Sequence, residues 1–186
     1  MNEHHVLNPE DPGPRLFFAL WPGDDIRDRL AEEQHRLELA FRHARWIPRE
    51  RLHLTLHFLG RLPPGKARRL RVLARDIEGA GFELALDWLG CFERARVLWL
   101  GPSRLPAALL RLHAQLGERL AETGYRMQFD RYRPHVTLAR KVRTIPPGIA
   151  APEPIRWPVR DFVLVESVDR PGGVAYRVVE RYSLRQ

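Results

Sequence analysis

The stretch RLHLTL at residues 51–56 is written a second time as RPHVTL at residues 133–138, within a chain of 186 residues. In both copies apolar residues alternate with a histidine and a threonine, which is the two-residue period of a β-strand. The aliphatic side chains therefore face a core. The histidine and the threonine share the opposite face, with Cβ atoms roughly 6–7 Å apart. The repeat predicts two equivalent strands, each presenting an imidazole beside a hydroxyl.

The first copy continues to residue 60 as RLHLTLHFLG, and strict alternation extends its two faces along the whole stretch. Phe58 would then join the leucines that face the core, and His57 would lie beside His53 and Thr55. The second copy has Ala139 at the position of His57. We interpret His57 as a residue at the rim of a site, where it can contact a substrate.

The remainder of the chain predicts an α+β fold built from a duplicated unit. The elements expected in order are a strand from Arg15, a helix from Asp24, the first repeat, a basic helix at 66–79, two paired strands at 82–92 and 96–101, a helix from Pro106 to Glu122, the second repeat, a Pro-rich loop at 144–158 and two last strands. We expect two lobes packed into one domain over residues 15–186, preceded by a flexible arm at 1–14.

The charge balance favours an anionic partner. There are 31 basic and 23 acidic residues, and Lys66 and Lys141 are the only lysines among the basic ones. Arginine's planar fork suits phosphate, so RNA or another nucleic acid is a natural partner, although an Arg-rich coding bias explains the same excess. No apolar run approaches the roughly 20 residues that span a bilayer, so we expect a cytoplasmic protein with no membrane association. The single cysteine, Cys91, excludes an internal disulfide.

Two histidines across one cavity match the chemistry of phosphodiester hydrolysis without a metal. One neutral imidazole can accept a proton from the attacking oxygen, and one imidazolium can donate a proton to the leaving oxygen. Thr55 and Thr137 can hydrogen-bond the phosphate oxygens. A single histidine on a sheet is more often a solvent-facing residue, but packing alone gives no reason to repeat both histidine and threonine.

Zinc binding is the competing use for histidines, and the sequence does not favour it. His53 and His57 are four residues apart on a strand, which separates them by roughly 13 Å. The chain has neither an HExxH motif nor a pair of cysteines, and it contains no nucleophile elbow, phosphate-binding P-loop or dinucleotide fingerprint. We therefore expect neither a metal nor another cofactor.

These residues resemble the 2H phosphoesterase superfamily, whose two H-x-[T/S]-x motifs correspond to HLTL at 53–56 and HVTL at 135–138. More narrowly, the chain is similar to the RNA 2′,3′-cyclic phosphodiesterase family, also called 2′-5′ RNA ligase. The likeness covers almost everything after the first 14 residues. Its stretches are RLFFAL at 15–20, RWIPRERLHLTLHFLG at 45–60, RVLWLG at 96–101, RPHVTLAR at 133–140 and FVLVES at 162–167.

The resemblance implies a two-lobed fold in which antiparallel sheets face a central cleft and helices lie outside. It also implies metal-independent hydrolysis of RNA 2′,3′-cyclic phosphate ends to 2′-phosphomonoesters, with a weak ATP-independent 2′-5′ ligase activity in some members. By position, His53 would be the general acid and His135 the base, although the two roles can be exchanged without any change in sequence. Thr55, Thr137 and Arg140 would hold the phosphate.

Several further residues are candidates to contact substrate. Arg140 is five residues after His135, so strict alternation points it away from the cleft unless the strand bends near Ala139. Either Arg131 or Arg133 would reach the substrate beside the second repeat. The aromatic residues that could stack on a terminal base are Phe17, Trp46, Phe58 and Tyr132.

Two alternative functions fit the same residues. One is a non-catalytic protein that binds phosphate-ended RNA, and the other is a 2H phosphodiesterase acting on a small cyclic-phosphate nucleotide. For the leading interpretation, the expected partner is an RNA with a 2′,3′-cyclic phosphate end, with tRNA fragments and cyclic nucleotides among the candidates. We expect the protein to act as a monomer.

Overall fold

A computed structural model describes residues 13–125, 132–171 and 173–185. The arm expected at 1–14 lies outside this range except for its last two residues. The described elements are β1 (Arg15–Leu20), α1 (Asp24–Leu37), β2 (Arg45–Trp46), β3 (Leu54–Arg61), α2 (Pro64–Arg75), β4 (Phe82–Leu86), β5 (Trp88–Phe92), β6 (Val97–Gly101), α3 (Ala107–Ala121), β7 (Val136–Arg140), β8 (Ile155–Val159), β9 (Asp161–Arg170) and β10 (Gly173–Ser183).

The main sheet joins two halves through β3 and β7, the two strands of the repeat, which begin one residue after His53 and His135. Its order is β10-β9-β1-β3-β7-β6-β5, with β2 paired to β7, and its strand pairs are antiparallel. The half containing β3 meets the half containing β7 at one residue pair, Leu54 with Val136. The α+β fold class with antiparallel strands is confirmed. The two expected lobes are the two halves of this sheet, and they meet at a narrow seam.

The helices cover one face of the main sheet. Apolar residues of all three helices, such as Leu30, Leu70 and Leu116, share one buried core with Phe18 and Leu164 of the sheet. This follows from the amphipathic pattern of each helix, because an apolar stripe must be buried against another element. The opposite face carries a small apolar cluster of Phe17, Ala19, Val163 and Val165. That face is therefore available for a site.

The segment at 82–92 differs from its expected single strand. It divides at Asp87 into β4, which pairs with β8 in a separate two-stranded sheet, and β5, which pairs with β6. The Asp87 carboxylate accepts hydrogen bonds from the backbone N–H and the hydroxyl of Ser103, both at 2.7 Å. These bonds satisfy the carboxylate where the chain turns. The Pro-rich loop expected at 144–158 in turn ends in β8, because β4 supplies a partner that local sequence does not reveal.

A β-bulge interrupts each histidine strand at the same place in the repeat. In the β1–β3 pair, Ala19 lies opposite Thr55 and Phe18 opposite His57, so Leu56 has no partner. In the β6–β7 pair, Trp99 lies opposite Thr137 and Leu98 opposite Ala139, which leaves Leu138 unpaired. A bulge of one residue moves every later side chain to the other face of the strand.

Beyond Leu56 the predicted assignment of side chains to the two faces of the strand is wrong, because the bulge reverses it. His57 is turned onto the helix-covered face, where it is 5% exposed, and Phe58 is turned onto the opposite face, where it is 52% exposed. The same shift acts in the second repeat, where Ala139 is buried and Arg140 is exposed. The pair of bulges therefore explains why Arg140, five residues after His135, shares a face with it.

The bulge in β7 is held by a buried amide. The carbonyl of Leu138 accepts hydrogen bonds from the backbone N–H of Ile47 at 2.9 Å and from Nε2 of Gln34 at 2.8 Å. The same Nε2 donates to the carbonyl of Ile47 at 2.9 Å. Because Gln34 comes from α1, the helix layer fixes the local bend that aims Arg140.

We expect Gln34→Leu to lower the free energy of unfolding by about 1–3 kcal/mol, since it removes the amide donor from buried carbonyl groups. Urea unfolding followed by circular dichroism measures this difference. Gln115→Leu is a matched control, because the buried Oε1 of Gln115 has no hydrogen-bond partner among the described residues. Equal stability of Gln34→Leu and the parent protein would contradict the proposed role of this amide.

Candidate active site

The two repeated strands bring their histidines and threonines onto one surface. Continuing the register of the Leu54–Val136 pair by one residue places His53 opposite Thr137 and Thr55 opposite His135. This register puts the four residues at the corners of one quadrilateral, with the histidines on its diagonal, and the charge of His135 acts on the imidazole of His53. Diagonal neighbours in an antiparallel pair are about 7–8 Å apart. This separation allows one small group to lie between the two imidazoles.

Backbone hydrogen bonds orient both imidazole rings in the same way. Nδ1 of His53 lies 2.7 Å from the carbonyl oxygen of Arg51, and Nδ1 of His135 lies 2.7 Å from that of Arg133. A carbonyl can only accept, so each Nδ1 carries the hydrogen and each Nε2 is left for chemistry. Nε2 of His53 also lies 3.1 Å from the hydroxyl of Thr55. The arginine two residues before each histidine thus contributes its backbone in both copies.

Aromatic rings enclose both histidines. The ring of His53 contacts Phe17, Trp21 and Tyr176, at centroid distances of 5.0, 5.6 and 5.3 Å respectively. The ring of His135 lies 4.9 Å from that of Phe92 and 6.0 Å from that of Trp99. These contacts restrict the rotation of the imidazoles and exclude water from their sides.

Burial makes both histidines weak bases. Burial, against the opposing hydrogen bond to the carbonyl of Arg51 and with a smaller contribution from the nearby His135, lowers the pKa of His53 to about 4. Burial also lowers the pKa of His135, while the carbonyl of Arg133 opposes that shift. Both imidazoles are thus neutral near pH 7 when no ligand is bound. A bound anion would favour the imidazolium form, so the pair is suited to sharing one proton above a phosphate.

An open cleft of about 820 Å³ lies beside the histidines. Neither imidazole lines it, but Phe17 and Tyr176, which both contact the ring of His53, do. Arg140 also lines the cleft, as do Trp46 and the exposed ring of Phe58. The cleft is therefore continuous with the surroundings of His53 and can hold the rest of a substrate.

Two expected substrate contacts lie away from this face. Nε2–H of His57 donates to the carbonyl of His113 at 2.8 Å, and the two rings stack at 4.1 Å. Tyr132 stacks on the other side of His113 at 3.7 Å, and burial raises the pKa of its hydroxyl well above its usual range. His57 and Tyr132 therefore belong to packing between the sheet and α3.

The other expected contacts are placed differently. Phe17 is 3% exposed and forms part of the wall around His53, so it offers little surface to a base. Trp46 is half-buried at the edge of the cleft, and Arg133 is exposed and holds His135 through its carbonyl. Arg131 lies outside the described residues.

Several residues at the site carry little or no signal in the sequence. Trp21, Phe92, Trp99 and Tyr176 come from four separate segments, and no local pattern connects them to the histidines. Arg51 belongs to the repeated R-x-H pattern. What the two copies share in the structure is the backbone carbonyl at this position, which holds Nδ1 of the histidine, and not the arginine side chain. The side chain of Arg51 lies over the ring of Tyr176, 5.1 Å from the ring centroid.

Within residues 13–125, 132–171 and 173–185, no three His, Cys, Asp or Glu side chains come together to form a metal site. No helix in the same part of the chain has the length and apolarity needed to cross a membrane.

Comparison with known proteins places the chain among phosphodiesterases. The sequence profile of the 2′-5′ RNA ligase superfamily matches residues 24–171. The RNA 2′,3′-cyclic phosphodiesterase of Escherichia coli is 33% identical over 92% of this chain and 97% of its own length. That of Thermus thermophilus is 32% identical over 92% and 90%, respectively. The crystal structure of E. coli LigT in its apo form superposes with a TM-score of 0.82 at 32% identity, covering 93% of this chain and 98% of LigT.

Proposed function

The chain belongs to the 2′-5′ RNA ligase superfamily, and we propose that it hydrolyses RNA 2′,3′-cyclic phosphate ends to 2′-phosphomonoesters. The observation that carries this proposal is the pair of imidazoles just before two adjacent strands, each with Nδ1 held by a carbonyl so that Nε2 can exchange a proton. Relatives named RNA 2′,3′-cyclic phosphodiesterase over nearly the whole chain support the substrate class.

The geometry suggests a single in-line displacement at phosphorus. Nε2 of His135 accepts a proton from water as the water oxygen bonds to phosphorus. The bond between phosphorus and O3′ breaks, and Nε2–H of protonated His53 donates its proton to O3′. The products are a 2′-phosphomonoester and a free 3′ hydroxyl. Because each ring has Nδ1 held by the carbonyl of the arginine two residues before it, the same geometry serves the exchanged assignment of acid and base.

Three further side chains would stabilise the charge on the phosphate. Thr55 and Thr137, each two residues after a histidine, would donate their hydroxyls to non-bridging oxygens. Arg140 is brought to the same face by the bulge at Leu138 and can form charge-assisted hydrogen bonds. Donors that are fixed before the reaction stabilise a transition state without reorganisation.

The lowered histidine pKa values predict an acidic optimum for the free enzyme. The reaction needs one neutral and one protonated imidazole, and the protonated one is lost as the pH rises through lowered pKa values. We expect a bell-shaped profile of kcat/KM with its maximum below about pH 6.5, the ordinary histidine value. The kcat profile should lie at higher pH, since bound phosphate favours the imidazolium. Steady-state rates between about pH 4 and 9 test this, and a kcat/KM maximum above about pH 7 would contradict it.

The reaction itself can be tested with one assay. The protein is incubated in EDTA with an RNA that ends in a 2′,3′-cyclic phosphate, and the product end is identified by its chromatographic position. We expect a 2′-phosphate. A 3′-phosphate would overturn the proposed bond cleavage. Tight, salt-sensitive RNA binding without any product would instead favour the RNA-end binder.

We extend the proposal to the setting of the reaction. The enzyme would act as a monomer in the cytoplasm, with tRNA fragments and cyclic nucleotides as candidate substrates. A weak 2′-5′ ligase activity would follow when the 5′ hydroxyl of a second RNA replaces water as the nucleophile. Sedimentation of the purified protein tests the monomer. Rates on mononucleotide and oligonucleotide substrates separate an RNA enzyme from one that prefers a small molecule.

A further inference from the structure

The cleft beside the histidines is lined by four arginines and by no acidic residue among those described. These are Arg15, Arg45, Arg51 and Arg140. Resting on the function proposed above, we propose that this cleft contains a second phosphate subsite. In it, Arg51, assisted by Arg45, binds the phosphodiester on the 5′ side of the terminal nucleotide.

Several arginines of a neighbouring cleft are neutralised by carboxylates, and those of the first cleft are not. A neighbouring cleft of about 650 Å³ is also lined by arginines, but Arg71 pairs with Glu180 at 2.7 Å and Arg177 with Glu166 at 2.5 Å. Across the described ranges, the four arginines of the first cleft form no ion pair with a carboxylate. Their charge therefore remains available for an anion.

Two of these arginines are held next to each other. Arg45 of β2 lies directly opposite Arg140 of β7 in the register of the sheet. Like charges at directly opposed positions destabilise a sheet unless a counter-charge lies between or beside them. An anionic ligand in the cleft would supply that counter-charge.

The ring of Tyr176 links the guanidinium of Arg51 to the imidazole of His53. The guanidinium lies over Tyr176, whose edge contacts the ring of His53. The Nε atom of Arg51 is buried and has no hydrogen-bond partner in the described part of the chain. A buried donor without an acceptor is costly, and a phosphate oxygen in the cleft is a suitable acceptor for the guanidinium.

The chemistry of the substrate identifies the second phosphate. An RNA with a 2′,3′-cyclic end has no nucleotide beyond that end, so any other phosphate lies on the 5′ side of the terminal ribose. The exposed ring of Phe58 and the edge of Trp46 line the same cleft and can contact a base. The subsite therefore predicts a preference for oligonucleotides over cyclic mononucleosides.

Three substrates test the subsite: uridine 2′,3′-cyclic phosphate, its 5′-phosphorylated form, and the dinucleotide ApU with a 2′,3′-cyclic phosphate. We expect Arg51→Gln to lower kcat/KM for the two substrates with a 5′ phosphate by at least about tenfold more than for the unphosphorylated one. Glutamine keeps the backbone carbonyl that holds His53. Arg68→Gln removes the same charge from the exposed surface of α2 and should leave the ratios unchanged.

The other results would overturn the subsite. An equal loss on all three substrates would mean that Arg51 acts through His53, and a loss confined to the dinucleotide would indicate base stacking instead of phosphate binding. If the parent protein hydrolyses none of them, the proposed function fails. Calorimetric binding of ApU 2′-phosphate then decides the subsite, since equal affinity of Arg51→Gln and Arg68→Gln would refute it.

Discussion

Replacing His135 by alanine should lower kcat/KM on RNA with a 2′,3′-cyclic phosphate end by about 10²–10⁴-fold, and replacing His53 should have an effect of the same size. Each substitution removes one of two groups that move protons at the same phosphorus. No second imidazole can take over either role, because the described ring contacts are with Phe17, Trp21 and Tyr176 for His53 and with Phe92 and Trp99 for His135. Initial rates at fixed pH measure the effect.

The double variant provides a stricter form of this prediction. Groups that act as a unit in one step are strongly non-additive, so removing both histidines should cost little more than removing one. His35→Ala is a matched control, since the side chain of His35 is 86% exposed on α1. A double variant whose loss in kcat/KM equals the product of the two single losses would contradict a shared reaction centre. Near-normal activity of either single variant would contradict it as well.

The second large effect is expected at Arg140. Changing Arg140 to glutamine should lower kcat by about 10²–10³-fold, the usual cost of losing one donor to transition-state charge. KM should change less, because the developing charge is greatest in the transition state. Arg143→Gln removes an exposed charge three residues later and serves as the control. Equal kinetics for the two variants would place Arg140 outside the reaction centre.

The repeated motif made the central part of the site predictable. Aliphatic alternation over four residues determined which face His53 and Thr55 share, and the second copy implied an equivalent strand. Any fold that pairs two such strands in antiparallel register brings the histidines together. This is why the α+β class and the seam followed from sequence.

The bulges were not predictable from the same pattern. Leu56 and Leu138 are apolar residues in apolar strands, and nothing local distinguishes a residue with a partner from one without. The decisive contact for Leu138 comes from Gln34, more than one hundred residues away in sequence. The placement of His57 on the core face and of Arg140 beside His135 depends on such long-range contacts.

The walls of the site depend on assembly of the whole sheet. Tyr176 reaches His53 because β10 and β9 lie next to β1, and Phe92 reaches His135 because β5 ends the other half of the sheet. Strand order is a property of the folded chain. The aromatic enclosure and the arginine cleft therefore emerged only from the structure.

The central claim is that one phosphorus atom lies between two histidines from distant parts of the sequence. A crystal structure of the protein with uridine 2′-monophosphate, the product end of the proposed reaction, tests it most directly. The account predicts phosphate oxygens within hydrogen-bonding distance, about 2.7–3.0 Å, of Nε2 of both His53 and His135. A phosphate bound by only one of these imidazoles, or on the helix-covered face of the sheet, would contradict it.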